Sequence, residues 1–133
     1  MRISQSLVDE MVAHAREDLP NECCGLIGGS GDEAKALYRA ANAFASPFSY
    51  RVDPADQYRI IEKEMRDRSE DLVAIYHSHT KSPAYPSQTD LNEAASWPEQ
   101  VYLIVSLADL DSPDVKAFWL KDKKIAEAEL VVE

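Results

Sequence analysis

Apolar residues recur with helical spacing in the segment that follows Ser4. One face of this segment is apolar and the opposite face is charged; the apolar positions are Leu7, Val8, Met11, Val12 and Ala15. Pro20 ends the helix that this pattern predicts. His14 falls on the polar side of the helix or at its edge, so we expect a surface histidine there.

Two further helices begin at residues that can cap a helix. The first starts at Asp53-Pro54, because Asp can bind the free backbone amides and Pro fits the first helical position. It is expected to run to about Arg68, with an apolar side formed by Tyr58, Ile61 and Met65. The second starts at the N-cap Ser87 and is closed by Pro98.

Short apolar runs bounded by Gly, Pro or charged residues predict the strands, which are 23–29, 34–44, 72–77, 101–107, 115–120 and 124–132. Helices and strands are mixed without a strict strand–helix–strand alternation. We therefore predict an α+β fold in a single domain that spans residues 1–133. A central sheet, mixed or largely antiparallel, is flanked by helices in this fold.

The charge of the chain narrows the class of partner. Its 133 residues include 14 Lys and Arg against 24 Asp and Glu, which gives a formal net charge of −10. Such a charge repels phosphate backbones and anionic lipid surfaces, so neither a nucleic acid nor a membrane is expected as partner. The sequence shows no signal-like segment and no long apolar run, which favours a cytoplasmic protein.

The two cysteines, Cys23 and Cys24, are adjacent in the sequence. An ordinary structural disulfide between them is not available, which agrees with a reducing compartment. A thiol-protease function would need a base within hydrogen-bond reach, and no nearby residue supplies one. We expect both thiols to be buried on opposite faces of the same strand.

Two histidines lie at the end of one predicted strand. His77 and His79 are two residues apart, and side chains at that spacing project to the same face of a strand. Neutral imidazole is a strong zinc ligand, and a catalytic zinc site takes three protein ligands and keeps one position open. Asp90 can supply the third ligand, although spacing alone does not establish this. Glu22, at the start of an apolar run, is a candidate base, and a solvated strand end is the simpler alternative.

These residues together resemble the JAMM (MPN-plus) metalloprotease motif, which reads Glu, then His-x-His, ten residues and Asp, with Ser three positions before the Asp. The likeness covers nearly the whole chain and implies a fold of the cytidine-deaminase-like type. It also implies a Zn²⁺ hydrolase that cleaves amide bonds. By motif position, the zinc ligands would be His77, His79 and Asp90, the general base Glu22, and the oxyanion-stabilising hydroxyl Ser87.

The run from Ile75 to Ser87 is similar to the bacterial branch of this family that includes the CysO–cysteine peptidase. The resemblance implies that the partner is a small ubiquitin-like sulfur-carrier protein, whose C-terminal tail is cleaved to release cysteine. Maturation of a carrier precursor and a broader ubiquitin-like isopeptidase activity are the alternatives. A homodimer is left open, and selectivity for polyubiquitin is not expected.

Three other classes of function are weaker. A non-catalytic MPN-minus scaffold has degraded ligands, whereas every motif residue is intact here. A RadC-like protein usually carries His-Asn-His-Pro-Ser-Gly, whereas this chain has His-Ser-His-Thr-Lys-Ser. A zinc nucleobase deaminase needs an H-x-E and a P-C-x-x-C signature, and neither is present.

Overall fold

The computed structural model describes residues 1–97 and 99–133, so Pro98, the expected end of a helix, lies outside the described residues. The helices are α1 (Gln5–Glu17), α2 (Pro54–Arg59), which continues as a π-helical segment (Ile60–Met65), and α3 (Gln88–Glu93), which continues as a short 3-10 turn (Ala94–Ser96). The strands are β1 (Arg2–Ile3), β2 (Cys24–Ser30), β3 (Glu33–Ala40), β4 (Asp71–His79), β5 (Val101–Ser106), β6 (Asp114–Trp119), β7 (Ala126–Ala128) and β8 (Val131–Val132).

The described strands form one mixed sheet in the order β7-β6-β5-β4-β2-β3-β1-β8. β4 is parallel to β5, and β1 is parallel to β3 and β8, whereas the other neighbours are antiparallel. β7 and β8 lie at opposite edges, yet only Glu129 and Leu130 separate them in the chain. The sheet therefore curls until its edges approach each other. The predicted α+β class with a central mixed sheet flanked by helices is confirmed.

Each face of the sheet has its own apolar core because side chains alternate along the strands. α1 covers one face, where Ile27 and Cys23 are fully buried. α2 and its continuation cover the other face, where Leu26, Cys24 and Ile60 are fully buried. The two cysteines thus lie on opposite faces, as predicted.

α1 begins where it is predicted, but one of its polar residues is buried. Ser4 Oγ accepts a hydrogen bond from the Leu7 amide at 3.1 Å and so caps the helix. The expectation of a surface His14 is wrong, because its side chain is buried and its Nδ1 lies 2.7 Å from the Tyr76 hydroxyl. His14 follows Met11 by three residues, so both share the face that packs against the sheet.

α2 has the predicted N-cap, since Asp53 Oδ2 accepts a hydrogen bond from the Asp56 amide at 3.1 Å. Its π-helical continuation is not predicted by the sequence pattern. Residues five apart share one side of a π-helix, and both Ile60 and Met65 are buried. Tyr58 was expected on this apolar side but is 61% exposed, because the wider turn brings Ile60 to the sheet instead.

The C-terminal strands also differ from the prediction. The expected strand over 124–132 is divided into β7 and β8, which pair at opposite edges of the sheet, because the chain changes partner between them. The expected strand over 34–44 ends at Ala40. Among the described residues, no helix has the length and apolar character needed to cross a bilayer.

Candidate metal centre and active site

The two histidines of the motif lie at the carboxyl end of β4. This strand extends two residues past its predicted end and includes both His77 and His79. Both side chains are buried, and β4 is held on one side by antiparallel β2 and on the other by parallel β5. A central strand with two partners gives these rings a rigid base.

The ligand atoms of the predicted metal site meet at one point. His77 Nε2 lies 3.2 Å from His79 Nε2 and 3.2 Å from Asp90 Oδ1. His79 Nε2 lies 3.0 Å from Asp90 Oδ2. Donor atoms from all three residues lie within 4.8 Å of one another, and all three residues are buried.

Asp90 reaches this point because a capping box fixes the start of α3. Ser87 Oγ accepts a hydrogen bond from the Asp90 amide at 3.1 Å, and Asp90 Oδ2 accepts one from the Ser87 amide at 2.9 Å. The cap therefore orients the Asp90 carboxylate toward the histidines. Among the described residues, no acceptor binds the proton of the exposed Ser87 hydroxyl, so it can be donated to another group.

The second ring nitrogen of His79 prepares the first one for a metal. His79 Nδ1 lies 2.8 Å from the Pro83 carbonyl oxygen. A carbonyl only accepts, so Nδ1 carries a hydrogen, and a metal bound at Nε2 would replace the proton that this nitrogen shares with Asp90. Metal-bound histidines in proteins are oriented by this kind of contact.

The carboxyl group of Asp90 is ionised in this site. Its burial opposes the charge, but the facing His77 and the hydrogen bonds with both histidines and the Ser87 amide hold its pKa well below the usual range. Burial also lowers the pKa of His79, but the hydrogen bonds with Asp90 and the Pro83 carbonyl outweigh it and leave this pKa raised. Asp90 and His79 thus bring a negative charge and a nitrogen ligand atom together at one buried point.

Glu22 lies next to this site in an environment that disfavours its charge. Its side chain is only 5% exposed, and Oε1 has no hydrogen-bond partner among the described residues. Burial raises the pKa of Glu22 to about 8; the nearby His79 opposes this shift, and the charge of Asp90 adds to it. The Ser78 amide donates a hydrogen bond to the Cys23 carbonyl at 3.1 Å, so the segment that carries Glu22 lies beside the two histidines.

The donor set fits a divalent metal ion such as zinc. Two imidazole nitrogens and one carboxylate are ligands that zinc prefers, and three protein ligands leave a fourth position open. The Nε2 atoms of the two histidines lie 3.2 Å apart, a spacing at which both can direct a lone pair at one metal ion between them. The buried carboxylate of Asp90 supplies part of the charge that such a cation needs.

The structure adds two residues to the site that the sequence pattern does not single out. Ser78, between the histidines, projects to the opposite face, where its Oγ accepts a hydrogen bond from the Cys23 amide at 2.8 Å. It thereby fixes the segment next to Glu22. Tyr50 stacks on the ring of His77. The only sequence signal for Ser78 is a small hydroxyl residue within His-x-His, and Tyr50 has none.

The curled mixed sheet and the group of two histidines and one aspartate at the end of a central strand define a JAB-type domain. The family described as prokaryotic homologs of the JAB domain matches residues 4–121. The chain belongs to this family, and the predicted assignment to the JAMM group is confirmed.

Two peptidases are similar to this chain over most of its length. The CysO-cysteine peptidase of Mycobacterium tuberculosis is 38% identical over 127 residues, which cover 94% of this chain and 86% of the relative. The desampylase of Haloferax volcanii is 40% identical over 105 residues, which cover 74% of each chain. These relatives confirm the prediction of a JAMM-type peptidase.

Solved structures agree with the fold. A protein from Desulfitobacterium hafniense has a TM-score of 0.89 and 35% identity, and the match covers 99% of this chain and 92% of that one. A structure described as a metalloprotease-like zinc site in the proteasome and signalosome has a TM-score of 0.63 and 22% identity, over 100% of this chain and 97% of that one. The second likeness concerns the fold alone.

Proposed function

We propose that this protein is a zinc-dependent peptidase that cleaves the peptide bond after the C-terminal glycine of a small ubiquitin-like sulfur carrier and releases cysteine. The observation that carries the proposal is the convergence of His77, His79 and Asp90 within electrostatic reach of the buried Glu22. We further infer that residues 1–133 act as one metallopeptidase domain, a view supported by the pairing of β1 with β8.

Zinc is the metal ion that this site would hold. His77, His79 and Asp90 would hold a zinc ion through the atoms that already face one another. A zinc ion bound there would lower the pKa of a coordinated water and polarise the carbonyl of the scissile bond. The buried position of the three residues limits competition from bulk water.

Glu22 is proposed as the proton carrier of the reaction. In the hydrolysis, the water oxygen forms a bond to the carbonyl carbon, and the carbon–nitrogen bond then breaks. Glu22 takes the proton from the water and passes it to the departing amine. Burial raises its pKa to about 8, so the carboxyl group can both bind and release a proton near neutral pH.

Ser87 is proposed to stabilise the oxyanion that forms on the carbonyl oxygen. Its Oγ already accepts a hydrogen bond from the Asp90 amide, so the hydroxyl proton is available to a developing negative charge. Because the capping box holds Ser87 in place, the donor needs little reorganisation during the reaction.

The substrate class is supported by the relatives rather than by the geometry. One relative is described as a CysO-cysteine peptidase, a name that points to CysO-cysteine as its substrate. This relative matches nearly the whole chain. A small carrier protein with a flexible C-terminal tail would suit the site, because an extended segment can bind along a strand through backbone hydrogen bonds.

A second candidate function is the cleavage of conjugates between a ubiquitin-like protein and other proteins. Two desampylases and a probable TtuB-protein conjugate cleaving protease of Thermus thermophilus are also similar to this chain. The same catalytic residues would serve both reactions, since the two substrates differ beyond the scissile bond. Trimming of a carrier precursor is a third form of the same chemistry.

Intact-mass analysis of candidate carriers before and after incubation with the zinc-loaded protein tests the proposal. Loss of one cysteinyl residue is the expected result. Loss of another short tail would favour precursor maturation, and release of a conjugated protein would favour the isopeptidase. Unchanged masses for every carrier and conjugate would overturn all three, provided that the protein binds zinc.

A further inference from the structure

The two histidines of the metal site are held in different ways. His79 donates its Nδ1 hydrogen to the Pro83 carbonyl, which fixes the plane of its ring. His77 is fully buried, and its Nδ1 has no hydrogen-bond partner among the described residues. A metal-binding histidine is ordinarily oriented through that second nitrogen. Some other contact must therefore restrain the His77 ring.

Tyr50 makes that contact. The rings of Tyr50 and His77 are stacked, with their centroids 4.3 Å apart and their planes inclined by 18°. Tyr50 is itself buried, and its ring belongs to the apolar core on that face of the sheet. A flat ring packed against an imidazole limits rotation about the bond that sets the direction of Nε2.

Tyr50 lies in the segment between β3 and α2, which is held by backbone hydrogen bonds, such as that from the Ala43 amide to the Arg51 carbonyl at 2.8 Å, and by the side chain of Asn42. Asn42 Nδ2 donates to the Ser49 carbonyl at 3.0 Å, and Asn42 Oδ1 accepts from the Arg51 amide at 3.1 Å. The backbone is thus fixed on both sides of Tyr50. Asn42 Nδ2 also donates to the Glu22 carbonyl at 3.0 Å, so the same side chain links the candidate proton carrier to this segment.

We propose that Tyr50 is a positioning residue that orients His77 for metal binding by stacking, in place of a hydrogen bond to Nδ1. In this proposal, Asn42 fixes the position of Tyr50 relative to Glu22. The inference rests on the proposed function, in which His77 is a zinc ligand. It assigns to the segment between β3 and α2 a part in building the metal site.

Substitution of Tyr50 by Leu and by Phe tests the stacking contact. Tyr50→Leu removes the flat ring, and we expect zinc binding, measured by competition with a chromophoric chelator, to weaken by roughly 10- to 100-fold. Tyr50→Phe keeps the ring and should bind zinc about as tightly as the unchanged protein. The visible spectrum of the Co²⁺-loaded protein reports the ligand geometry and should change in the Leu variant alone.

Phe118→Leu is the matched control. Phe118 is a buried aromatic residue of the same core cluster as Tyr50, and its ring packs edge-on against Tyr85 rather than against a metal ligand. It should lower the unfolding free energy but leave zinc affinity and the Co²⁺ spectrum unchanged. Equal losses of zinc affinity in Phe118→Leu and Tyr50→Leu would mean that Tyr50 acts only through stability, and would overturn the inference.

Asn42→Ala tests the inference without altering the aromatic ring. This variant can therefore be measured even if Tyr50→Leu does not fold. A smaller loss of zinc affinity is expected, accompanied by a lower kcat because Glu22 also loses a contact. Unchanged zinc affinity in Asn42→Ala and in any folded Tyr50→Leu protein would overturn the proposal. If the unchanged protein binds no zinc, the proposed function itself fails, which is a distinguishable result.

Discussion

At the scale of single residues, the site separates two carboxyl groups by their surroundings. Asp90 faces two histidines and accepts the Ser87 amide hydrogen bond, so its pKa stays well below the usual range. Glu22 is buried without a partner at Oε1, and burial raises its pKa to about 8. One carboxylate can therefore serve as a permanent ligand while the other exchanges protons.

The pH dependence of the unfolding free energy in Glu22→Gln tests whether Glu22 is the carboxyl group with the raised pKa. Between the normal pKa of 4.5 and the raised value of about 8, the folded protein keeps a proton that the unfolded chain has lost, so stability falls as pH rises. The variant lacks this titration. In the presence of a chelator, it should be more stable than the unchanged protein by roughly 2–4 kcal/mol at pH 8, since each unit of raised pKa corresponds to about 1.4 kcal/mol, and by much less at pH 5.

Denaturant unfolding at several pH values measures the effect. The difference in unfolding free energy between the variant and the unchanged protein should grow as pH rises from 5 to 8. Parallel pH dependences of the two proteins would contradict the assignment of the raised pKa to Glu22.

The same variant also tests catalysis. Glu22→Gln should bind zinc normally, because Glu22 lies outside the group of three ligands. Its cleavage rate should fall by roughly 10²–10⁴, the usual contribution of a positioned acid or base. Zinc content and turnover are measured on the same preparation. Full turnover with zinc bound would show that another group carries the proton.

At the scale of elements, α3 serves the site through its first turn. Ser87→Ala removes the N-cap and the free hydroxyl together, so it should lower stability by about 1 kcal/mol and kcat by roughly 10²-fold to 10³-fold. Ser4→Ala is the matched control, since Ser4 caps α1 through the same kind of bond. It should cost a similar amount of stability and leave kcat unchanged. Equal kcat values in the two variants would leave Ser87 with a capping role alone.

The elements also show how far local pattern determines structure. Short-range signals, namely the apolar spacing after Ser4 and the caps Asp53 and Ser87, predicted where each helix begins. Helical spacing puts His14 on the same face as Met11, but the partner that satisfies this buried polar ring is Tyr76, 62 positions away, which no local pattern could indicate. The change to a π-helix at Ile60 depends similarly on packing against the sheet.

In the candidate site, too, local features were predictable from the sequence and contacts between distant segments were not. The spacing of His77, His79 and Asp90 is visible in the sequence because one strand and one helix start supply all three. The stack of Tyr50 on His77 joins segments that are distant in the chain, as does the bond between Ser78 and Cys23. Such contacts arise only after the sheet has brought β2, β4 and the segment before α2 together.

At the scale of the whole molecule, the metal site joins two parts of the fold. His77 and His79 belong to the central strand β4, whereas Asp90 belongs to α3, which follows a loop outside the sheet. A metal bound by all three would tie α3 to the sheet. Because unfolding separates the ligands, the binding free energy then adds to the stability of the folded protein.

Zinc should therefore raise the thermal stability of this protein in a manner that depends on Asp90. At free zinc of about 1,000 times the dissociation constant, the stabilisation is roughly 4 kcal/mol, which a melting curve detects as a clear rise in Tm. Asp90→Asn keeps the size of the side chain but removes a charged ligand, so its Tm should respond weakly to zinc and to a chelator. Ser4→Ala, which alters only the cap of α1, should keep the full response. An equal zinc-dependent rise in Tm for Asp90→Asn and the unchanged protein would show that the metal binds elsewhere.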